Sequence, residues 1–137
     1  MTDTQTDRPR PAGETGGSAR RPAQRLAAPT LSFDLLREQE QLRQEESYRG
    51  GDRNAKTLVK EHGLRIVLTV MRSGARLQEH TTAGALSVQT LAGQIRLHAG
   101  QDAVDLPVGH IVALDGNVSH AVEAVGESAF LLTIAGA

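Results

Sequence analysis

Cysteine is absent from this chain, which removes disulfides, thiolate nucleophiles and sulfur metal ligands together. Tryptophan is absent as well, and the aromatic set is limited to Phe33, Tyr48 and Phe130. Base stacking on single strands needs aromatic platforms, so we expect no nucleic-acid partner. The formal net charge of −1 is too small to gather a polyanion or a membrane surface. No apolar run is long enough to cross a bilayer, so we expect no membrane partner. No P-loop or dinucleotide glycine fingerprint occurs, and Ser87, Ser119 and Ser128 lack a nucleophile-elbow context. What remains is 137 residues, one domain with a tail, long enough to bury a core without staples.

Composition changes along the chain. Residues 1–30 are rich in Pro, Gly, Ala, Thr and Arg and lack apolar periodicity, so they are expected to form a disordered tail. The pair Arg20-Arg21 is followed by Pro22, Gln24, Arg25 and Pro29 rather than an apolar stretch. That pattern is no export signal, and a cytoplasmic location is expected. Residues 31–50 hold the run Phe33 to Tyr48, made of strong helix formers without Gly or Pro. Ser32 is the expected N-cap and Gly50-Gly51 the expected stop. Its narrow apolar stripe of Phe33, Leu35, Leu36 and Leu42 packs one side and leaves the other in water. We expect it to pack on its own domain, with docking onto a partner subunit as the alternative.

From residue 54 to 137 the pattern becomes that of short strands. Leu64, Ile66, Leu68 and Val70 alternate with Arg65, Val67, Thr69 and Met71. Further runs cover Leu86 to Leu91, Gln94 to His98, Ala103 to Leu106, Ile111 to Leu114, His120 to Val125 and Ala129 to Ile134. Glycine- and Asx-rich turns separate them, which predicts an all-β antiparallel barrel or sandwich with no βαβ units.

Two histidines stand out against this punctuation. Gly74 is followed by five residues and then His80, with Thr82, Leu86 and Gly93 beyond it, in GARLQEHTTAGALSVQTLAG. Gly109 is followed by five residues, then Asp115-Gly116-Asn117, two residues and His120, in GHIVALDGNVSHAVEA. On these two segments the chain resembles the cupin superfamily, specifically a small single-domain bacterial cupin of the RmlC-like type, over roughly residues 56 to 135. The match holds at Gly74, His80, Gly93, Gly109 and His120. Thr82 stands at the family's second histidine position, Leu86 at its glutamate, Asp115 at its proline, Asn117 at its second-motif glycine and Ala124 at its asparagine.

The resemblance implies an antiparallel cupin β-barrel, of the jelly-roll or double-stranded β-helix kind, behind one N-terminal helix. It also implies convergence of His80 and His120 from neighbouring strands and a homodimer. Strand parity would put His80, Thr82 and Gln78 on one face. Gln89 has the opposite parity to Leu86 and is expected on the other side. His62 and His110 fall at turns and His98 at an outward position.

Three functions follow. The first is binding of a small organic molecule in the barrel cavity through His80, His120, Gln78, Thr82 and Leu86, with Val88, Val112 and Leu114 as further wall. The second is a metal-dependent oxygenase or isomerase holding Fe, Mn, Ni or Zn on His80 and His120, with Gln78, water or substrate completing the set. The third is an assembly module that pairs through a sheet edge or face. No catalytic residue is assigned.

Overall fold

The computed structural model describes residues 29–136. The tail expected over residues 1–30 lies, up to residue 28, outside the described residues. Helix α1 spans Leu35–Gln44 and a single turn, α2, spans Glu46–Arg49. Nine strands follow: β1 Arg53–Glu61, β2 Leu64–Met71, β3 Arg76–His80, β4 Leu86–Ala92, β5 Gln94–Ala99, β6 Asp102–Pro107, β7 Ile111–Leu114, β8 His120–Ala124 and β9 Ser128–Ala135. They form two antiparallel sheets, one in the order β1-β2-β9-β4-β7 and the other β3-β8-β5-β6. The expected all-β barrel behind an N-terminal helix is what the chain forms.

The main core lies between the sheets. Met71, Leu86, Val88, Phe130 and Ile134 from the five-stranded sheet meet Ile95, Leu97, Leu106, Val122 and Ala124 from the other. All are nearly excluded from water, and Val112, Leu114 and Leu132 pack against them. Alternation along each strand sends these residues inward and their neighbours out. The Thr90 hydroxyl ties the two sheets by donating to the Leu106 carbonyl at 2.9 Å. Gly93, in the β4–β5 turn, has φ 71°, and a Cβ there would stand 2.0 Å from the Glu127 carbonyl oxygen. Only glycine fits that approach.

A second core lies on the outer side of the five-stranded sheet, beneath the helix. Leu42 and Tyr48 pack against Leu58, Val59, Leu68, Val70 and Ala129, joined by Leu31, Phe33, Leu35 and Leu131. The helix therefore covers its own domain. Its N-cap is Asp34 rather than Ser32, because the Asp34 carboxylate accepts from the Arg37 amide at 3.2 Å. It stops at Gln44 without glycine or proline. Glu45 turns extended, and the Asn54 amide group donates to the Leu42 carbonyl and the Glu45 carboxylate, both at 2.9 Å.

Strand β1 lies inside the strand-patterned segment expected from residue 54, but the first individual run legible there begins only at Leu64. Its side toward α1 carries Asn54, Lys56 and Leu58, all buried, and two of the three are polar. Lys56 Nζ pairs with Glu38 Oε1 at 2.9 Å under the helix, so a lysine stands where periodicity looks for an apolar residue.

Candidate functional site

The site is built at one end of the barrel, where β3 and β8 run side by side. His80 closes β3 and His120 opens β8, and the two are direct cross-strand partners. Their ring centroids are 4.2 Å apart with planes inclined by 63°. His120 is 1% exposed, while His80 lies open at the surface.

The hydrogen bonds fix the tautomers. His80 Nδ1 lies 3.1 Å from the Gln78 carbonyl oxygen, and His120 Nδ1 lies 3.0 Å from the Val118 carbonyl oxygen. A carbonyl only accepts, so each Nδ1 carries the hydrogen and donates it. Each Nε2 of a neutral ring is then a bare lone pair. The two Nε2 atoms face one another at 3.1 Å. Two lone pairs at that distance repel unless a positive centre joins them, and a proton on one Nε2 does so as an ordinary hydrogen bond.

The strand does not reach His80 by simple alternation. Leu77 pairs with Val122 and packs on the core, and the register then slips before His80 pairs with His120. This bulge gives positions 77 and 80 the same face. Parity had grouped His80 with Gln78 and Thr82, and the bulge breaks that count. Gln78 is exposed, and what it contributes at the pair is its carbonyl, which orients His80. Thr82 lies beyond the end of β3, where its hydroxyl donates to the Gly84 carbonyl at 2.9 Å. Leu86 is 4% exposed and belongs to the inter-sheet core, together with Val88. The structure thus brings together His80 and His120 at the side-chain level, while Leu86, Val88, Val112 and Leu114 fill the barrel. Gln89 pairs with Ile111 and Leu131 on the outer side, as its parity indicated.

Two loops hold the pair in register. The Asn117 amide donates to the Thr82 carbonyl at 2.7 Å, clamping the loop before His120 onto the loop after His80. Asn117 has φ 68°, the left-handed region where asparagine is tolerated. A Cβ on Gly116 would stand 2.3 Å from the Ala83 carbonyl oxygen, so the clamp closes only over glycine. The Asp-Gly-Asn turn was legible as a turn; its role as a clamp needs the opposite loop, which sequence does not place beside it. On the outer face nearby, Ala85, Ser87, Ala113, Asp115, Thr133 and Ala135 line an open depression of about 410 Å³.

Among the other histidines, His62 and His110 are exposed, and His98 points outward with Nε2 3.3 Å from a Glu123 carboxylate oxygen. Among the described residues, no group of three or more His, Cys, Asp or Glu gathers in a metal-holding arrangement. The two Nε2 atoms themselves suit a metal. Ligands about 2.0–2.1 Å from one ion at adjacent corners stand roughly 3.0–3.4 Å apart. Metal-bound histidines also commonly donate the other ring N–H to a carbonyl. The fit ends with that pair of donors, since Leu86 and Thr82 add none. Among the described residues no helix is long and apolar enough to cross a membrane.

No family model matches the chain, and no curated protein matches it. Solved structures do. A conserved protein of unknown function from Streptococcus pyogenes aligns over 93% of this chain and 98% of its own, with a TM-score of 0.63 and 18% identity. An RmlC-like cupin from Shewanella frigidimarina aligns over 64% of this chain and 79% of its own, with a TM-score of 0.59 and 18% identity. A cupin 2 conserved barrel domain protein from Leptotrichia buccalis is 27% identical over 62% of this chain and 41% of its own, with a TM-score of 0.59. Strand order and these likenesses agree: the chain has the RmlC-like fold of the cupin superfamily.

Proposed function

We propose that this cupin binds a small organic acid at the mouth of its barrel, with His80 and His120 as the polar contacts. One observation carries the reading: both Nδ1 hydrogens are committed to backbone carbonyls, and the two Nε2 atoms converge at 3.1 Å. An acid suits such a pair. Its proton passes to one Nε2, which makes an imidazolium hydrogen-bonded to the other ring, and the carboxylate stays beside the new positive charge. His80 supplies the open side from which a ligand reaches the pair, and buried His120 supplies the fixed side.

A thermal-shift panel of acetate, succinate, benzoate and 2-oxoglutarate tests it, run beside the matching amides. A ligand at a hundred times its Kd stabilises a protein by about 2.7 kcal/mol. The melting temperature should rise with at least one acid, and the rise should vanish in both His80→Ala and His120→Ala. A shift that survives both substitutions would place the ligand elsewhere, and no shift with any acid would remove the support for this reading.

The same tautomers favour a second reading, in which a divalent Fe, Mn, Ni or Zn ion sits on the two Nε2 atoms. Such an ion would supply Lewis-acid or redox chemistry, with water or substrate filling the positions the chain leaves open. Among the described residues no carboxylate joins the two rings to balance a dication's charge, which ranks this reading second. Elemental analysis of untagged protein supplied with each metal decides it. Near-stoichiometric metal lost in His80→Ala favours the ion; background metal throughout favours the acid.

A further inference from the structure

Two cations stand on the inner face of the five-stranded sheet, at the same end of the barrel as the histidines. On β2, Met71 points into the inter-sheet core, and Thr69, Val67 and Arg65 share its parity. The register agrees. Arg65 is the cross-strand partner of Ile134, Ile134 of Leu86, and Leu86 of Leu114. Ile134 and Leu86 belong to that core and Leu114 packs on it, so Arg65 is on the same side of the sheet. This row lies next to the mouth: the loop 81–85 joins His80 to Leu86, and the loop 115–119 joins Leu114 to His120. Beyond Arg65, the row continues to its partner on β1, Lys60. The preceding residue, Val59, belongs to the core beneath the helix, so alternation turns Lys60 inward.

The stacking of the sheets sets these cations across from the histidines. Strand β4 meets β6, and β9 meets β5. Continued outward in the order of each sheet, β2 and β1 lie across from β8 and β3, the strands that carry His120 and His80. Arg65 is half-buried there and Lys60 exposed. Like charges placed directly opposite each other on neighbouring strands destabilise the pairing. Among the described residues, neither side chain has an ion pair or a hydrogen bond to offset that cost. Glu61, next to Lys60 in sequence, falls on the opposite face by alternation. Two cations that the chain sets together and leaves uncompensated are what an anion from solution neutralises.

We propose that the acid held at His80 and His120 is a short dicarboxylate, whose second carboxylate lies on Arg65 and Lys60. The inference rests on the acid reading above and supplies the other end of the ligand. Packed sheets stand about 10 Å apart, and side chains from both reach into the gap, so a chain of a few carbons bridges it. The planar fork of Arg65 suits a carboxylate through two parallel bonds, and Lys60 adds a point charge from the rim. Isothermal titration calorimetry on the full chain compares succinate with butyrate, glutarate with valerate, and adipate with hexanoate. The members of each pair differ by one terminal carboxylate. At least one diacid should bind about tenfold or more tighter than its partner, the scale of a charge-assisted hydrogen bond. Arg65→Gln should bring that ratio to about one, Lys60→Gln should lower it partway, and His120→Ala should remove binding of both members. Without ligand, Arg65→Gln should melt no lower than the unaltered protein, because it relieves the like-charge pairing. Equal affinities within every pair, or a diacid preference that Arg65→Gln leaves intact, overturn the dicarboxylate while the acid reading stands. No binding by any of these acids overturns both.

Discussion

Two clusters of polar side chains behave in opposite ways in this molecule. Under the helix, Glu38, Lys56 and Asn54 are buried and matched to partners: the carboxylate to the ammonium, the amide to the Leu42 carbonyl and Glu45. At the barrel mouth, His80 and His120 are also matched, but only at Nδ1, and their remaining lone pairs are aimed at each other. The first cluster satisfies itself and fixes where the helix lies. The second leaves chemistry over, and leftover acceptors converging on one point are what a ligand uses. Polar burial alone does not mark a site; the unfinished hydrogen-bond inventory does.

The contrast can be broken most forcefully in the seam. Glu38→Ala removes the carboxylate that meets Lys56 Nζ beneath α1 and should destabilise the fold by about 3–5 kcal/mol in urea titration, with acid binding unchanged below the transition. Replacing both partners, Glu38→Leu with Lys56→Met, should return most of that loss, because a buried ion pair is often matched by apolar packing. At the mouth, His120→Ala should destabilise by about 1–2 kcal/mol and abolish ligand-induced stabilisation, since this ring is both buried and functional. Tyr48 gives a smaller, pH-gated effect. Burial first, then the hydrogen bond to Glu127 and its negative charge, raise the Tyr48 hydroxyl above its ordinary value. A group raised on folding stabilises below its unfolded pKa, about 10, and loses that contribution as pH rises through the folded value. Alkaline melting curves should therefore steepen above pH ~10, and Tyr48→Phe should remove that excess while losing about 1 kcal/mol at neutral pH. The smallest stability effect belongs to His80→Ala, within about 0.5 kcal/mol because the residue is at the surface, and yet it should eliminate acid binding. That split between stability and binding is the sharpest form of the comparison.

Much of this was legible in the residues. Turn glycines and alternating strands gave the barrel, and the spacing from Gly74 to His80 and from Gly109 to His120 pointed at the pair that the register brings together. The helix was legible from its formers, and Gly50 caps the turn α2 as expected, but the N-cap and the break after Gln44 were not legible. Asp34 caps it through a local hydrogen bond that Ser32 could equally have made, and Asn54, ten residues after its last turn, stops it from across the seam. Strand β1 hid because a buried lysine interrupts its pattern, and a lysine is buried only when a carboxylate from another element meets it. The surroundings of His80 were misjudged because parity assumes an unbroken strand, and a bulge adds a residue without any mark in composition.

That bulge makes His80 a matter of counting. Between Leu77, which belongs to the core, and His80, which belongs to the mouth, the chain takes three steps where its partner strand takes two. Three steps is an odd spacing, which only a bulge can fold onto one face. Removing one residue there would restore plain alternation, and the imidazole would stand two steps from Leu77, on the same face and still opposite His120. The bulge, more than the spacing, is therefore the frame of the site: a strand that kept every residue but lost the bulge would swing the imidazole to the opposite face and divide the pair while the barrel kept its shape.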